Sequence, residues 1–171
     1  MIKVEMSKVI SNTSPLIALS AIKRLDLLYR IFPSVIIPQG VWNEIVSDGT
    51  PWSSATAIRE ALSKQAKWAE IVSAPQLPLL ATLSQRLGIG EAEAIVLAVE
   101  RNLPVLLDDK AARKAGNQLG LSVIGTLAIL ARSKENGEVP QVKPLLLGIL
   151  DAGIYLAKPL VDEFLRSMGE I

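Results

Sequence analysis

A chain of 171 residues fits one domain, and it contains neither cysteine nor histidine. Disulfides, iron–sulfur clusters, thiolate nucleophiles, Ser-His-Asp triads and His or Cys metal sites are therefore excluded. A net charge of +1 gives no overall field to draw in nucleic acid, so any RNA contact needs a local patch. Chemistry is left to carboxylates, Lys, Arg, Tyr, hydroxyls and backbone, and carboxylates suit hard cations such as Mg²⁺ or Mn²⁺. Half of the residues are hydrophobic and 4% aromatic, which predicts an aliphatic core of the kind found in helix-covered sheets.

The longest uncharged run, residues 115–131, is broken by Gly116, Asn117, Gln118, Gly120 and Gly125, which argues against a membrane span. The amino terminus carries an early acid and no signal-type apolar core. A soluble, cytoplasmic protein with no membrane partner is expected.

In chain order, Val9 and Ile10 begin a short strand, and Ser14 before Pro15 is a helix start signal. Asn12 thus falls where a strand ends and a helix begins, a place a turn residue also fills. A second helix is predicted over 23–32, with Leu25, Leu28 and Phe32 on one face and Pro33 ending it. Residues 34–37 read as a strand and 39–46 as a helix with Val41 and Ile45 inward. Glu44 lies beside that stripe, where an ordinary solvated glutamate would also sit. A loop over 47–54 contains Asp48, Gly49, Thr50 and Pro51. Residues 55–66 are amphipathic, with Arg59, Glu60, Lys64 and Lys67 outward, and 68–74 can form an edge strand.

A helix over 79–87 stops at Gly88, and the next one opens with Glu91 and Glu93 in or near its first turn. Acids there oppose the helix dipole. Glu93 also shares a face with Val96 and Leu97, and an acid on an apolar stripe needs a partner. Gly88-x-Gly90 is no dinucleotide fingerprint, because no strand precedes it and the third glycine is missing. Residues 105–107 read as a strand buried on both faces, with Asp108 and Asp109 at its carboxyl end and a helix over 110–119. Paired carboxylates there are either a helix cap or part of a metal site. A fourth strand over 121–124, a helix from Thr126 to Ala131, and closing helices over 142–150 and 158–168 complete the chain. Short strands alternating with helices predict a parallel sheet covered on both sides.

Ser-Asn-Thr-Ser-Pro-Leu-Ile, Ile-Pro-x-x-Val-x-x-Glu, Gly-Glu-Ala-Glu-Ala-Ile, Leu-Leu-Asp-Asp-x-x-Ala-Arg and Val-Ile-Gly-Thr together resemble the PIN domain, in a branch of unassigned function related to VapC toxins. The resemblance implies an α/β three-layer α/β/α domain over 1–171, with a core of about 8–125 and carboxyl-terminal helices over 126–171. It implies a Mg²⁺- or Mn²⁺-dependent single-strand endoribonuclease, the toxin of a toxin–antitoxin pair, with RNA and a cognate antitoxin as partners. By the same resemblance the acidic positions fall at Asn12, Glu44, Glu93 and Asp109, with Thr13 or Ser14 as the nearby hydroxyl. Glu91 and Asp108 are accessory, and Lys110, Arg113 and Lys114 are candidate RNA contacts. Asn12 departs from the family's Asp. That opens the alternative of a catalytically weak or inactive relative serving as an RNA- or protein-binding module. Convergence of the acids without His or Cys calls for a cation between them. A homodimer through residues 25–32 and the carboxyl-terminal helices is also expected.

Overall fold

The computed structural model describes residues 7–47, 52–63 and 68–171. Residues 48–51 of the predicted loop over 47–54, with the outward Lys64 and Lys67, lie outside them, and the helix expected from 55 already begins at Trp52. Five strands form one parallel sheet in the order β3-β2-β1-β4-β5. They are β1 (Lys8–Ser11), β2 (Ser34–Pro38), β3 (Ala69–Val72), β4 (Val105–Leu106) and β5 (Val123–Ile124). The candidate edge strand is thus real, and it makes the last strand the fifth. All-parallel pairing requires every connection to cross over the sheet, and helices make those crossings.

Side chains alternate along each strand, and that alternation divides the core in two. Val9, Val35, Ile37 and Leu106 face one cluster; Ile10, Ile36, Val105 and Leu107 face the other. The first is covered by α1 (Thr13–Ala21), α2 (Asp26–Ile31), α4 (Trp52–Ser63), α8 (Thr126–Glu135), α9 (Lys143–Asp151) and α10 (Lys158–Ser167). The second is covered by α5 (Pro78–Ser84), α6 (Ile89–Arg101) and α7 (Lys110–Gln118). Helix α3 (Gln39–Val46) packs across α6 above the sheet's carboxyl edge. The architecture is a three-layer α/β/α sandwich. Strands buried on both faces explain why their sequences read as unbroken apolar runs.

The second helix starts later than the periodicity suggests. Lys23 adopts φ 56°, and that left-handed residue separates α1 from α2. Leu27, Leu28 and Phe32 are fully buried in the chain's own core, while Tyr29 of the same stretch is 39% exposed. No helix of the described residues is long and apolar enough to cross a membrane.

The carboxyl-terminal end is tied back by one acid. Glu170 accepts from Lys134 Nζ at 2.7 Å and from the backbone N–H groups of Val142 and Lys143 at 2.8 and 2.7 Å. It therefore satisfies donors at the start of α9, which no carboxylate of its own caps. Burial alone would raise its carboxyl. The Lys134 ammonium and the two backbone donors override burial and hold it below its ordinary value of 4.5.

Candidate active site

The site stands at the carboxyl edge of the sheet, where β1 and β4 hand over to α1 and α7 and where α3 crosses α6. Strand β1 ends at Ser11, so Asn12 is set by the sheet, and its N–H donates to Leu106 O of β4 at 3.1 Å. The residue is 3% exposed, and among the described residues its Oδ1 is the buried side-chain polar atom left without a hydrogen-bond donor. A buried acceptor of that kind is costly unless something electropositive meets it. Thr13 follows at the first position of α1 and donates its hydroxyl to Glu44 Oε2 at 2.7 Å. Ser14 is exposed, and no side-chain hydrogen bond of its own ties it to the site.

Helices α3 and α6 hold each other by exchanging glutamates. Glu44 of α3 accepts from Gly90 N of α6 at 3.1 Å, and Glu93 of α6 accepts from Gly40 N of α3 at 2.6 Å. Glycine at both positions lets the glutamates approach the backbone closely. A Cβ on Gly40 would lie 2.6 Å from Glu93 Oε2, and one on Gly90 would lie 2.6 Å from Glu44 Oε1. Both amides lie in the first turns of their helices, where N–H groups have no intrahelical acceptor.

Glu91 accepts from Gly88 N at 3.2 Å and so caps α6. Burial pushes its carboxyl above the usual range. The Gly88 bond pulls the other way, and the charges of Asp109 and Glu44 push it up further. Glu91, Glu44 and Asp109 are therefore one electrostatic group. Glu93, by contrast, is committed to Gly40 and lines a cleft between α5 and α6. The Gly40 N–H is the partner that an acid on an apolar stripe needs, and Gly90 N holds Glu44 in the same way.

The adjacent acids after β4 separate in role. Asp108 accepts from both Thr126 N at 2.7 Å and Thr126 Oγ1 at 2.6 Å, which fastens the start of α8. Asp109 accepts from Ala112 N at 3.0 Å as the N-cap of α7, and it is exposed. Capping and site membership are compatible, because the cap bond occupies one oxygen. Lys110 and Lys114 are exposed beside it. Arg113 is half-buried and spends one guanidinium nitrogen on Leu107 O at 2.8 Å, so it braces the end of β4.

The donors are all oxygen, as a hard divalent cation requires. Asn12 Oδ1 supplies an unsatisfied acceptor, and the Glu44–Glu91–Asp109 group supplies negative charge. Among the described residues no three Asp or Glu side chains stand close enough to hold a metal by themselves, so the amide oxygen and water would complete the shell. On that test the residues fit a Mg²⁺ or Mn²⁺ ion in kind.

A parallel sheet covered by helices on both faces, with acids at its carboxyl edge, defines a three-layer α/β/α domain. This chain belongs to the PIN-domain family, since a family model (DUF3368) described as a PIN domain matches residues 8–170. Among solved structures, a PilT N-terminus domain protein from the archaeon Sulfolobus solfataricus P2 is similar at 18% identity and TM-score 0.47. The similarity covers 74% of this chain and 92% of that one. No curated protein matches.

Proposed function

We propose that this chain is a single-strand endoribonuclease of the PIN type, dependent on Mg²⁺ or Mn²⁺ and acting as the toxin of a toxin–antitoxin pair. The observation that carries the nuclease reading is the buried, donorless Asn12 Oδ1 beside the Thr13–Glu44 bond, in a chain of PIN-domain membership. Asn12, Glu44, Glu91 and Asp109 would hold the cation. When bound, it supplies a more acidic water and neutralises charge building on the phosphate. The protein's own groups orient that site: Thr13 fixes one Glu44 oxygen, Gly90 N fixes the other, and Ala112 N fixes Asp109. Lys110 and Lys114, exposed beside Asp109, would provide a local positive patch for RNA phosphates. The toxin role, the cognate antitoxin and the homodimer rest on the VapC resemblance.

A second reading, a catalytically weak relative that binds RNA or protein, is favoured by Asn12 itself. An amide brings no charge where an acid would bring one. Cleavage of single-stranded RNA by the purified chain, with Mn²⁺ and with EDTA, separates the two. Metal-dependent cleavage abolished by Asp109→Asn supports the nuclease. RNA binding without cleavage in wild type and in Asn12→Asp leaves the binding module.

A further inference from the structure

Between α5 and α6, at the carboxyl edge, lies an open cleft of about 470 Å³. That volume is in the range of small-molecule sites. Leu77, Pro78, Ala81 and Ile89 give it aliphatic walls, and Leu77 and Ile89 are 44% and 58% exposed, so the walls face solvent. Glu93 is the charged group in the lining, and its Oε2 is already fixed by Gly40 N. It lies two residues from Glu91 and three from Gly90, whose N–H holds Glu44. Glu93 thus stands on the same α3–α6 contact as Glu44, one of the residues proposed for the cation.

The geometry points to this cleft as a subsite for an RNA base next to the scissile phosphate, with Glu93 reading guanine. This rests on the nuclease reading for its substrate class. Single-stranded RNA is read through splayed bases, held by their faces and hydrogen-bonded on their Watson–Crick edges. Apolar walls suit the faces. A carboxylate only accepts, so the occupant must donate. Guanine presents two adjacent donors, N1–H and the 2-amino group, which match Oε1 and the second lone pair of Oε2, whose first is taken by Gly40 N. Uracil offers one donor flanked by two carbonyls. Adenine and cytosine each offer an amino group beside an acceptor nitrogen. Glu93 is thus a specificity residue.

The test is fluorescence anisotropy of the full chain in EDTA, with labelled seven-nucleotide uridine RNAs carrying G, inosine, A, C or U at the centre. The G oligonucleotide should bind roughly tenfold or more tightly than the A and U ones, the range of a bidentate base contact. Inosine, which lacks the 2-amino group, should fall between. Glu93→Gln keeps an oxygen for Gly40 N and should flatten the preference. Ala81→Leu, which fills the cleft, should bring the G oligonucleotide down to the U level. Equal binding of all five, no binding of any, or a G preference that survives Glu93→Gln overturns the inference. Mn²⁺-dependent cleavage of the U-only RNA is measured in parallel. Cleavage without base preference sinks this subsite alone; G preference without cleavage sinks the nuclease reading and leaves the subsite.

Discussion

Asn12 gives its backbone N–H to Leu106 O at 3.1 Å, while its side-chain oxygen, a few atoms away, is buried without a donor. The sheet therefore fixes the residue in place with one polar atom unmet. Asn12→Asp puts a charge at that atom, in a residue 3% exposed and next in the chain to Thr13, which binds Glu44. Without metal the folded state should lose about 3 kcal/mol, as for an uncompensated buried charge. Saturating Mn²⁺ should restore about 2.7 kcal/mol at a hundredfold excess over Kd. Melting curves of both proteins, with and without Mn²⁺, check this; a variant as stable as wild type in EDTA contradicts it.

Gly90→Ala opposes two effects. Alanine gains about 0.5–1 kcal/mol in helix propensity. The new Cβ would sit 2.6 Å from Glu44 Oε1 and displace it, losing a charge-assisted bond worth about 1.5–3 kcal/mol. Net stability should fall by roughly 1–2 kcal/mol. Calorimetric Mn²⁺ affinity should fall more than stability does, because Glu44 moves. Unchanged Mn²⁺ binding would remove Glu44 from the cation site.

The two acids after β4 should behave differently. Asp108→Ala removes both bonds to Thr126 and should cost about 1–2 kcal/mol, with Mn²⁺ affinity retained. Asp109→Asn keeps an oxygen for Ala112 N, so stability should barely change while Mn²⁺ affinity and cleavage drop. Paired urea denaturation and Mn²⁺ titration decide it, and the opposite pattern would exchange the roles.

That division was only half legible in the sequence. A run of apolar residues followed by Asp-Asp located the sheet's edge correctly, and the parallel α/β/α architecture followed from strands alternating with helices. Which acid faces which partner depends on groups far away in the chain: Thr126 for Asp108, Gly40 for Glu93. Local periodicity carries no information about a backbone N–H 53 residues distant. The break at Lys23 was hidden for a related reason, since no glycine or proline marks that left-handed residue.

Stability should also depend on Glu170 in acid. Its carboxyl is held below 4.5 in the folded state, so its contribution is fully present above that value and is lost as pH falls through the lowered one. Melting temperature measured from pH 7 down to 3 should be governed by this group only below about pH 4.5. Glu170→Gln should lower the neutral-pH melting temperature and shrink the acid decline. An acid decline identical to wild type would assign it to other carboxylates.

The exchange between α3 and α6 makes the amide protons of Gly40 and Gly90 local reporters. Each points at a carboxylate supplied by the other helix, across 53 and 46 residues of chain respectively. Neither bond can exist in a fragment or a partly assembled intermediate that lacks one of the helices. Their hydrogen-exchange rates therefore time the docking of α3 on α6, and with it the moment at which Glu44 is in position. A chain whose strands have paired but whose two amides still exchange freely would be folded without being armed.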